Sequence, residues 1–231
     1  MGSTSKVALV TGASAGIGAA TAAGLADAGY LVYGTSRSAR RDSQGVRMRV
    51  LEATSDESIA TCVEGVLIEA GRIDLVVNNA AQVVVSPAEE LPISTASELM
   101  DLNFFGMARV VNAVLPTMRD QGSGHLVFIS SLAGLMGLPG QGYYCATKHA
   151  LEGYVDSLYL ELAQFGIRVT SLEPGSFRTD ILTTSPQPTW PTLAPYDGYR
   201  ESLREIITEA TANGEDPRKL AELVVSVAGK A

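Results

Sequence analysis

Six short runs of apolar, largely β-branched residues alternate with longer segments in which apolar residues recur at helical spacing. This alternation is typical of βαβ units joined into a parallel sheet. The runs are nearly all apolar, as expected for strands that helices cover on both faces. We therefore predict an α/β fold with a doubly wound parallel sheet. The predicted strands are Val7–Val10, Leu31–Thr35, Met48–Leu51, Leu75–Asn78, Leu126–Ser130 and Arg168–Glu173.

Capping signals predict where several helices begin. A Ser, Thr or Asp followed three residues later by Glu can form a capping box, and Asp followed by Pro is a strong helix start. The sequence offers three such starts: Thr54 with Glu57, Thr95 with Glu98 before Leu99–Met118, and Asp216 with Pro217.

Length and charge limit the functional classes. The 231 residues fit one domain, 1–231, and the formal charge of −8 argues against nucleic acid or an anionic membrane as the main partner. Cys62, Cys145, His125 and His149 form neither a disulfide framework nor a metal site, so we expect no metal. The stretch Met1–Lys6 is short and polar, unlike a signal peptide, and no apolar run in the sequence is long enough to span a membrane. We therefore predict a cytoplasmic protein.

A glycine-rich turn follows the first predicted strand. Thr11 to Gly18 carries the spacing G-x-x-x-G-x-G. Glycine permits a sharp turn and lets a pyrophosphate approach the amides at a helix N-terminus. Many α/β proteins turn in this way, but the position between first strand and first helix predicts a dinucleotide site.

Tyr144 and Lys148 are four residues apart in a predicted helix, so they share one face. A nearby ammonium favours the phenolate and tunes a tyrosine for acid/base work. An ordinary surface pair is the alternative. Tyr143 is the rival phenol, although its spacing points it elsewhere. Ser131 follows a predicted strand and could donate to a carbonyl oxygen, or simply end the strand.

Together these pieces resemble the short-chain dehydrogenase/reductase family over about residues 6–227. The motifs that carry the resemblance are Thr11-Gly12-x-x-x-Gly16-x-Gly18, Asn78-Asn79-Ala80, Asn103, Ser131, Tyr144-x-x-x-Lys148 and Pro174-Gly175-x-x-x-Thr179. Within the family, the stretches 134–139 and 144–153 resemble the branch of 17β-hydroxysteroid and retinol dehydrogenases.

The resemblance implies a Rossmann fold and a role for each matching position. Tyr144 would move the proton, Lys148 would lower its proton affinity and hold the nicotinamide ribose, Ser131 would orient the carbonyl, and Asn103 would anchor a water of the proton relay. The implied cofactor-binding positions are Gly12, Ser14, Ala15, Gly16, Ile17, Gly18, Ser36, Arg37, Glu52, Ala53, Asn79, Ala80, Tyr144, Lys148, Pro174, Gly175, Phe177 and Thr179.

Three positions depart from the family pattern. Ala81 stands where the family has glycine, which adds a methyl group near the cofactor. Glu52 replaces the aspartate expected after the third strand. The chain ends at Ala231, where the family usually continues into another strand. We expect a homo-oligomer, a dimer or tetramer.

The end of the second strand indicates the cofactor. NAD-binding members carry a carboxylate there, whereas this chain has Ser36 and Arg37, with Arg40 and Arg41 close behind. A guanidinium can hold a 2′-phosphate through two hydrogen bonds. We therefore favour NADP, with NAD as the alternative.

A proline-rich segment, Thr183–Pro195, breaks the alternation and lies within a region, about 180–205, that we interpret as a substrate lid. A plain surface loop is the alternative. Five residues suggest an apolar pocket: Leu135, Met136, Leu138, Trp190 and Tyr196.

The sequence as a whole predicts an NADP(H)-dependent oxidoreductase that interconverts a small hydrophobic ketone or aldehyde and its alcohol. The alternatives are an NAD-dependent alcohol dehydrogenase and a catalytically silent dinucleotide-binding sensor.

Overall fold

The computed structural model describes residues 5–185 and 189–229. Most of the N-terminal stretch interpreted above as no signal peptide lies outside the described residues. Positions 186–188 of the predicted lid and the last two residues also lie outside them.

Six parallel strands form one sheet in the order β3-β2-β1-β4-β5-β6. The order reverses between β1 and β4, as in a doubly wound sheet, so the predicted fold class is confirmed. The strand bounds are β1 Val7–Val10, β2 Leu31–Ser36, β3 Val46–Val50, β4 Leu75–Asn78, β5 Gly124–Ile129 and β6 Ile167–Leu172. Three strands begin one or two residues earlier than predicted: β3 at Val46, β5 at Gly124 and β6 at Ile167.

Helices cover both faces of the sheet. They are α1 Gly16–Asp27, α2 Asp56–Ala70, α3 Ile93–Met100, α4 Met107–Gln121, α5 Gly142–Leu162, α6 Ile181–Thr184, α7 Asp197–Ala212 and α8 Pro217–Gly229. Side chains of α1 and α8 pack on one face, and those of α2, α4 and α5 pack on the other. Both faces of the strands are therefore dry, which explains their continuous apolar runs.

Two predicted helix starts are wrong. Ser55, not Thr54, caps α2, and its hydroxyl accepts a hydrogen bond from the Ser58 amide at 3.2 Å. Thr95 lies inside α3, which begins at Ile93 after Pro92. Pro92 is the N-cap, with φ −60° and ψ 140°, and no side-chain hydrogen bond caps this helix.

The third predicted start is confirmed. Asp216 accepts a hydrogen bond from the Arg218 amide at 2.9 Å, and α8 begins at Pro217. Between α3 and α4 the chain continues as a π-helical turn, Asp101–Gly106, so the predicted long helix is interrupted there. Such turns occur often at functional sites.

The strands all end at the same edge of the sheet, and the loops that follow them meet there. In an open parallel sheet this edge, at the point where strand order reverses, is where ligands bind. None of the helices within residues 5–185 and 189–229 is both long enough and apolar enough to cross a bilayer.

Candidate active site

The glycine-rich turn after β1 leaves room for a ligand against backbone. Gly12 and Gly16 adopt positive φ values of 66° and 55°, a region that favours glycine. A Cβ on Gly18 would lie 2.3 Å from the Gly12 carbonyl oxygen, so only glycine lets α1 start this close to the turn. The turn therefore presents the N-terminus of α1, with its unpaired amides, to the groove.

Thr11 and Asn79 fix this turn to the end of β4. The Asn79 side-chain amide donates to the Thr11 carbonyl at 2.9 Å, and the Thr11 hydroxyl accepts from the amides of Asn79 and Ala80 at 2.9 and 3.0 Å. Asn79 and Ala80 thus help to shape the groove as well as line it.

A groove of about 330 Å³ begins at this turn and crosses the strand ends. Most of the predicted cofactor-binding positions line it: Gly12, Ser14, Ala15, Gly16, Ile17, Gly18, Ser36, Arg37, Glu52, Ala53, Asn79, Ala80 and Thr179. We call it the glycine-rich groove. Its shape, a backbone cradle with a helix N-terminus at its floor, fits the pyrophosphate of a dinucleotide.

The far end of this groove is basic. Arg37 and Arg40 are exposed and line it beside the buried Ser36, whose hydroxyl donates to the Ser38 carbonyl. Across the groove, the Glu52 carboxylate accepts a hydrogen bond from the Thr54 hydroxyl at 3.1 Å. The carboxylate is therefore held by its own loop.

A second cavity adjoins the groove. We call it the Tyr144 cavity, because Ser131, Tyr144 and Lys148 all line it, together with Ile129 and Ser130 from the end of β5. Ile17, Asn79, Ala81, Thr179 and Ile181 line both spaces, so the groove and the cavity are continuous. The predicted positions Pro174, Gly175 and Phe177 line the cavity as well.

Helix α5 separates the two candidate phenols. Tyr144 is buried and faces the cavity, whereas Tyr143 packs among apolar side chains outside it. Ser131 precedes a short 3₁₀ turn, Leu132–Gly134, and its Oγ accepts a hydrogen bond from the Ala133 amide at 3.1 Å. The hydroxyl proton of Ser131 remains available for another acceptor.

Burial dominates the ionisation of the two central groups. It raises the pKa of Tyr144 above its usual value of 10, and the Ser131 side chain opposes that rise. Burial also lowers the pKa of Lys148 from 10.5 to about 8. The Lys148 ammonium donates to the Ile129 carbonyl at 2.9 Å, and its Nζ lies 5.9 Å from the centre of the Tyr144 ring.

Asn103 is fully buried and lies outside both spaces, in the π-helical turn. Its side-chain amide donates to the Gln82 carbonyl at 2.8 Å and to the Thr147 hydroxyl at 3.2 Å, and its oxygen accepts from the Gln82 amide at 2.9 Å. The side chain thus joins the loop after β4 to α5, one residue before Lys148.

Apolar side chains from distant parts of the chain form the wall of the Tyr144 cavity: Val83, Leu132, Leu138, Ile181, Leu182 and Ile207. Of the five residues predicted for an apolar pocket, only Leu138 lines it. Leu135 and Met136 are 63% and 54% exposed. Part of the wall comes from Ile207 of α7, and the spacing of residues near Tyr144 does not indicate that this helix packs against the cavity.

The predicted lid is anchored at its C-terminal end. Glu90, whose side chain is only 1% exposed, forms an ion pair with Arg200 and accepts a hydrogen bond from the Leu193 amide at 2.7 Å. Trp190 packs against the apolar cluster that contains Tyr144. Tyr196 points away from the cavity and donates to Glu89 at 2.8 Å.

Sequence reasoning missed several residues that line the two spaces. Thr35, Gln82, Leu102 and Asp180 line the groove, and Gln141, Ala210 and Thr211 line the cavity. Gln141 carried a signal, since it lies one helical turn before Tyr144. Within residues 5–185 and 189–229, no three His, Cys, Asp or Glu side chains group closely enough to hold a metal ion.

A family model for "short chain dehydrogenase" matches residues 6–189. The chain belongs to the short-chain dehydrogenase family, whose members are oxidoreductases that bind an NAD(P) dinucleotide. The 3-ketodihydrosphingosine reductase of Bacteroides thetaiotaomicron is 37% identical over 97% of this chain and 84% of its own. Retinol dehydrogenase 8 of Bos taurus is 34% identical over 98% of this chain and 78% of its own.

Solved structures agree with this assignment. A short-chain dehydrogenase from Streptomyces avermitilis matches with a TM-score of 0.86 and 34% identity, covering 99% of this chain and 85% of its own. An alcohol dehydrogenase from Thermococcus sibiricus, complexed with 5-hydroxy-NADP, matches with a TM-score of 0.80 and 26% identity over 98% of this chain and 91% of its own.

Proposed function

We propose that this protein reduces a hydrophobic ketone or aldehyde to its alcohol with NADPH, and catalyses the reverse reaction, with Tyr144 as the acid/base. One observation carries the proposal: Ser131, Tyr144 and Lys148 line a single cavity that is continuous with the glycine-rich groove. A proton donor, an orienting hydroxyl and a cation therefore meet where a dinucleotide in the groove would end.

The chain's own residues supply the proton and the orientation. When bound, the nicotinamide supplies or accepts the hydride at the substrate carbon. The Ser131 hydroxyl donates to the substrate oxygen, and the Tyr144 phenol transfers its proton to that oxygen. Because burial raises the Tyr144 pKa, the phenol stays protonated at neutral pH, the form that carbonyl reduction needs. The Lys148 ammonium would hold the ribose hydroxyls of a bound cofactor and would stabilise the phenolate that is left.

Replacement of Tyr144 tests this assignment. Tyr144→Phe removes only the hydroxyl, so cofactor binding should persist while kcat falls by about 10² or more. Tyr143→Phe, next in the chain but outside the cavity, is the matched control and should retain its kcat. If the Tyr143 variant loses turnover and the Tyr144 variant does not, the assignment is wrong.

The basic end of the groove supports NADP. Arg37 and Arg40 lie together beside Ser36, at a position where an NAD enzyme needs a carboxylate for the ribose diol. A guanidinium there gains charged hydrogen bonds from a 2′-phosphate. The Thermococcus sibiricus relative was solved with an NADP derivative.

Fluorescence titration with NADPH and NADH tests the cofactor. We expect tighter binding of NADPH, and Arg37→Ala should weaken it by roughly 1.5–3 kcal/mol, with little effect on NADH. Equal losses for both cofactors, or a native preference for NADH, would favour the NAD-dependent alternative.

The apolar wall of the Tyr144 cavity supports a hydrophobic substrate. Apart from Lys148, no charged side chain among the described residues lines that cavity. The names of two relatives, a 3-ketodihydrosphingosine reductase and a retinol dehydrogenase, also denote lipid-like substrates. NADPH consumption with a panel of ketones and aldehydes should rise with apolar substituents, and a preference for sugars would contradict this.

A further inference from the structure

Lys148 is the one fully buried cation among the described residues, with 1% of its surface exposed. Its ammonium carries three N–H donors, one of which donates a hydrogen bond to the Ile129 carbonyl. An ammonium in such a site loses most of its hydration and tends to become neutral. Something nearby must favour the charge for Lys148 to work as a cation.

The Glu152 side chain lies on the same side of α5 as Lys148, where two other elements hold it in place. Glu152 follows Lys148 by four residues on α5, so the two share one helix face. The Ser171 hydroxyl, on β6, donates to its Oε1 at 3.0 Å. A Cβ on Gly134 would lie 3.0 Å from Glu152 Cγ, so the turn after Ser131 packs directly on this side chain.

The other elements around Lys148 bring no second carboxylate among the described residues. Helix α5 also presents Tyr144, strand β5 presents the Ile129 carbonyl, the residue after it presents the buried Ser130 hydroxyl, and β6 presents Ser171. Burial lowers the pKa of Lys148, and the charge of Glu152 opposes that fall.

We propose that Glu152 is a positioning residue of the active site, whose carboxylate keeps Lys148 in the ammonium form and so sets the upper pH limit of the reaction. The proposal rests on the proposed function. A purely structural role, in which Glu152 only joins α5 to β6 through Ser171, is the alternative.

The titration of Lys148 itself separates these roles. The chain has four lysines, Lys6, Lys148, Lys219 and Lys230, so ¹³C-lysine NMR gives few signals, and Lys148→Arg assigns the one of interest. We expect a midpoint about 8 in the native protein. In Glu152→Gln the midpoint should fall by about 0.5–1 pH unit, because an opposite charge has been removed.

Two further variants make the outcome decisive. Asp156→Asn removes an exposed carboxylate from the same helix and should leave the Lys148 midpoint unchanged. Glu152→Asp keeps the charge and should hold the midpoint close to the native value. A Glu152→Gln midpoint equal to those of the native protein and of Asp156→Asn overturns the proposal. If Glu152→Gln does not fold, Ser171→Ala releases the carboxylate instead, and an unmoved midpoint there overturns it equally.

Kinetics then connect the charge to the reaction. In Glu152→Gln the basic limb of the kcat/KM profile should move to lower pH by the same amount as the NMR midpoint. If no carbonyl compound is reduced by the native protein, the proposed function fails, but the NMR titration still decides whether Glu152 controls Lys148.

Discussion

Replacing Lys148 by Met should stabilise the protein while abolishing its activity. Lowering a lysine pKa from 10.5 to about 8 corresponds to a cost of about 3 kcal/mol for keeping the buried side chain charged at pH 7. Methionine has a similar length and no charge, so it avoids that cost. The variant loses the hydrogen bond from the charged Lys148 ammonium to the Ile129 carbonyl, worth about 1.5 kcal/mol. A net gain of about 1.5 kcal/mol remains.

The stability that Lys148→Met gains over the native protein should depend on pH. Between pH 8 and 10.5 the unfolded chain binds a proton at Lys148 that the folded chain has released, so native stability rises with pH in that window. The advantage of Lys148→Met should therefore be full below pH 8 and shrink towards pH 10.5.

Urea unfolding and thermal melts of the cofactor-free protein at pH 7 and pH 10 measure this difference. At pH 7 the melting temperature should rise by about 3–6 °C. Lys219→Met, at a 65% exposed side chain, is the control and should change stability little. A Lys148→Met variant that is less stable than the native protein, by an amount independent of pH, would refute the reasoning.

Two more predictions concern groups away from the proton transfer. Burial lowers the pKa of His125 from 6.5 to about 4, so stability present above pH 6.5 is lost as the pH falls towards 4. His125→Gln should lose about 2–3 kcal/mol less than the native protein between pH 7 and 4.5 in urea unfolding; the exposed His149→Gln should behave like the native protein. Trp190, the single tryptophan, should shift its emission on addition of NADP and more strongly on addition of a ketone, as its segment closes from the anchored Leu193 end. Trp190→Ala should raise KM for bulky ketones and leave cofactor affinity nearly unchanged; ligand-independent emission with native kinetics would make the segment a plain surface loop.

The fold was predictable because its signals are local. Val7–Val10 is apolar throughout and Leu75–Asn78 is apolar up to its last residue, a pattern typical of a strand covered on both faces. Their bounds matched the prediction without change. The first residues of the helices were harder to predict, since Thr54 and Ser55 are adjacent and either could cap α2. The choice depends on where the chain leaves the loop after β3, which no pattern within the helix records.

The candidate site was predictable only where its geometry lies within one element. Tyr144 and Lys148 share a face because residues four apart in a helix lie on the same side. The glycine-rich turn could be recognised because only glycine allows its backbone to lie this close to the start of α1. Arg40 was noticed only as a basic neighbour, because the loop after β2 has no periodicity that places its side chains.

Contacts between distant residues decide the rest of the site. Ile207 reaches the Tyr144 cavity only because α7 packs across it, and the anchor of the lid joins Glu90 to Arg200 over 110 residues of sequence. The residues proposed for proton transfer lie on one helix and one strand end, whereas the apolar wall of the Tyr144 cavity is assembled from elements whose packing no local pattern encodes. The sequence of this protein therefore indicates the proposed reaction more directly than the proposed substrate. The position of α7 can also change without altering the spacing of Tyr144 and Lys148, so the proposed proton transfer is compatible with cavity walls of different shape.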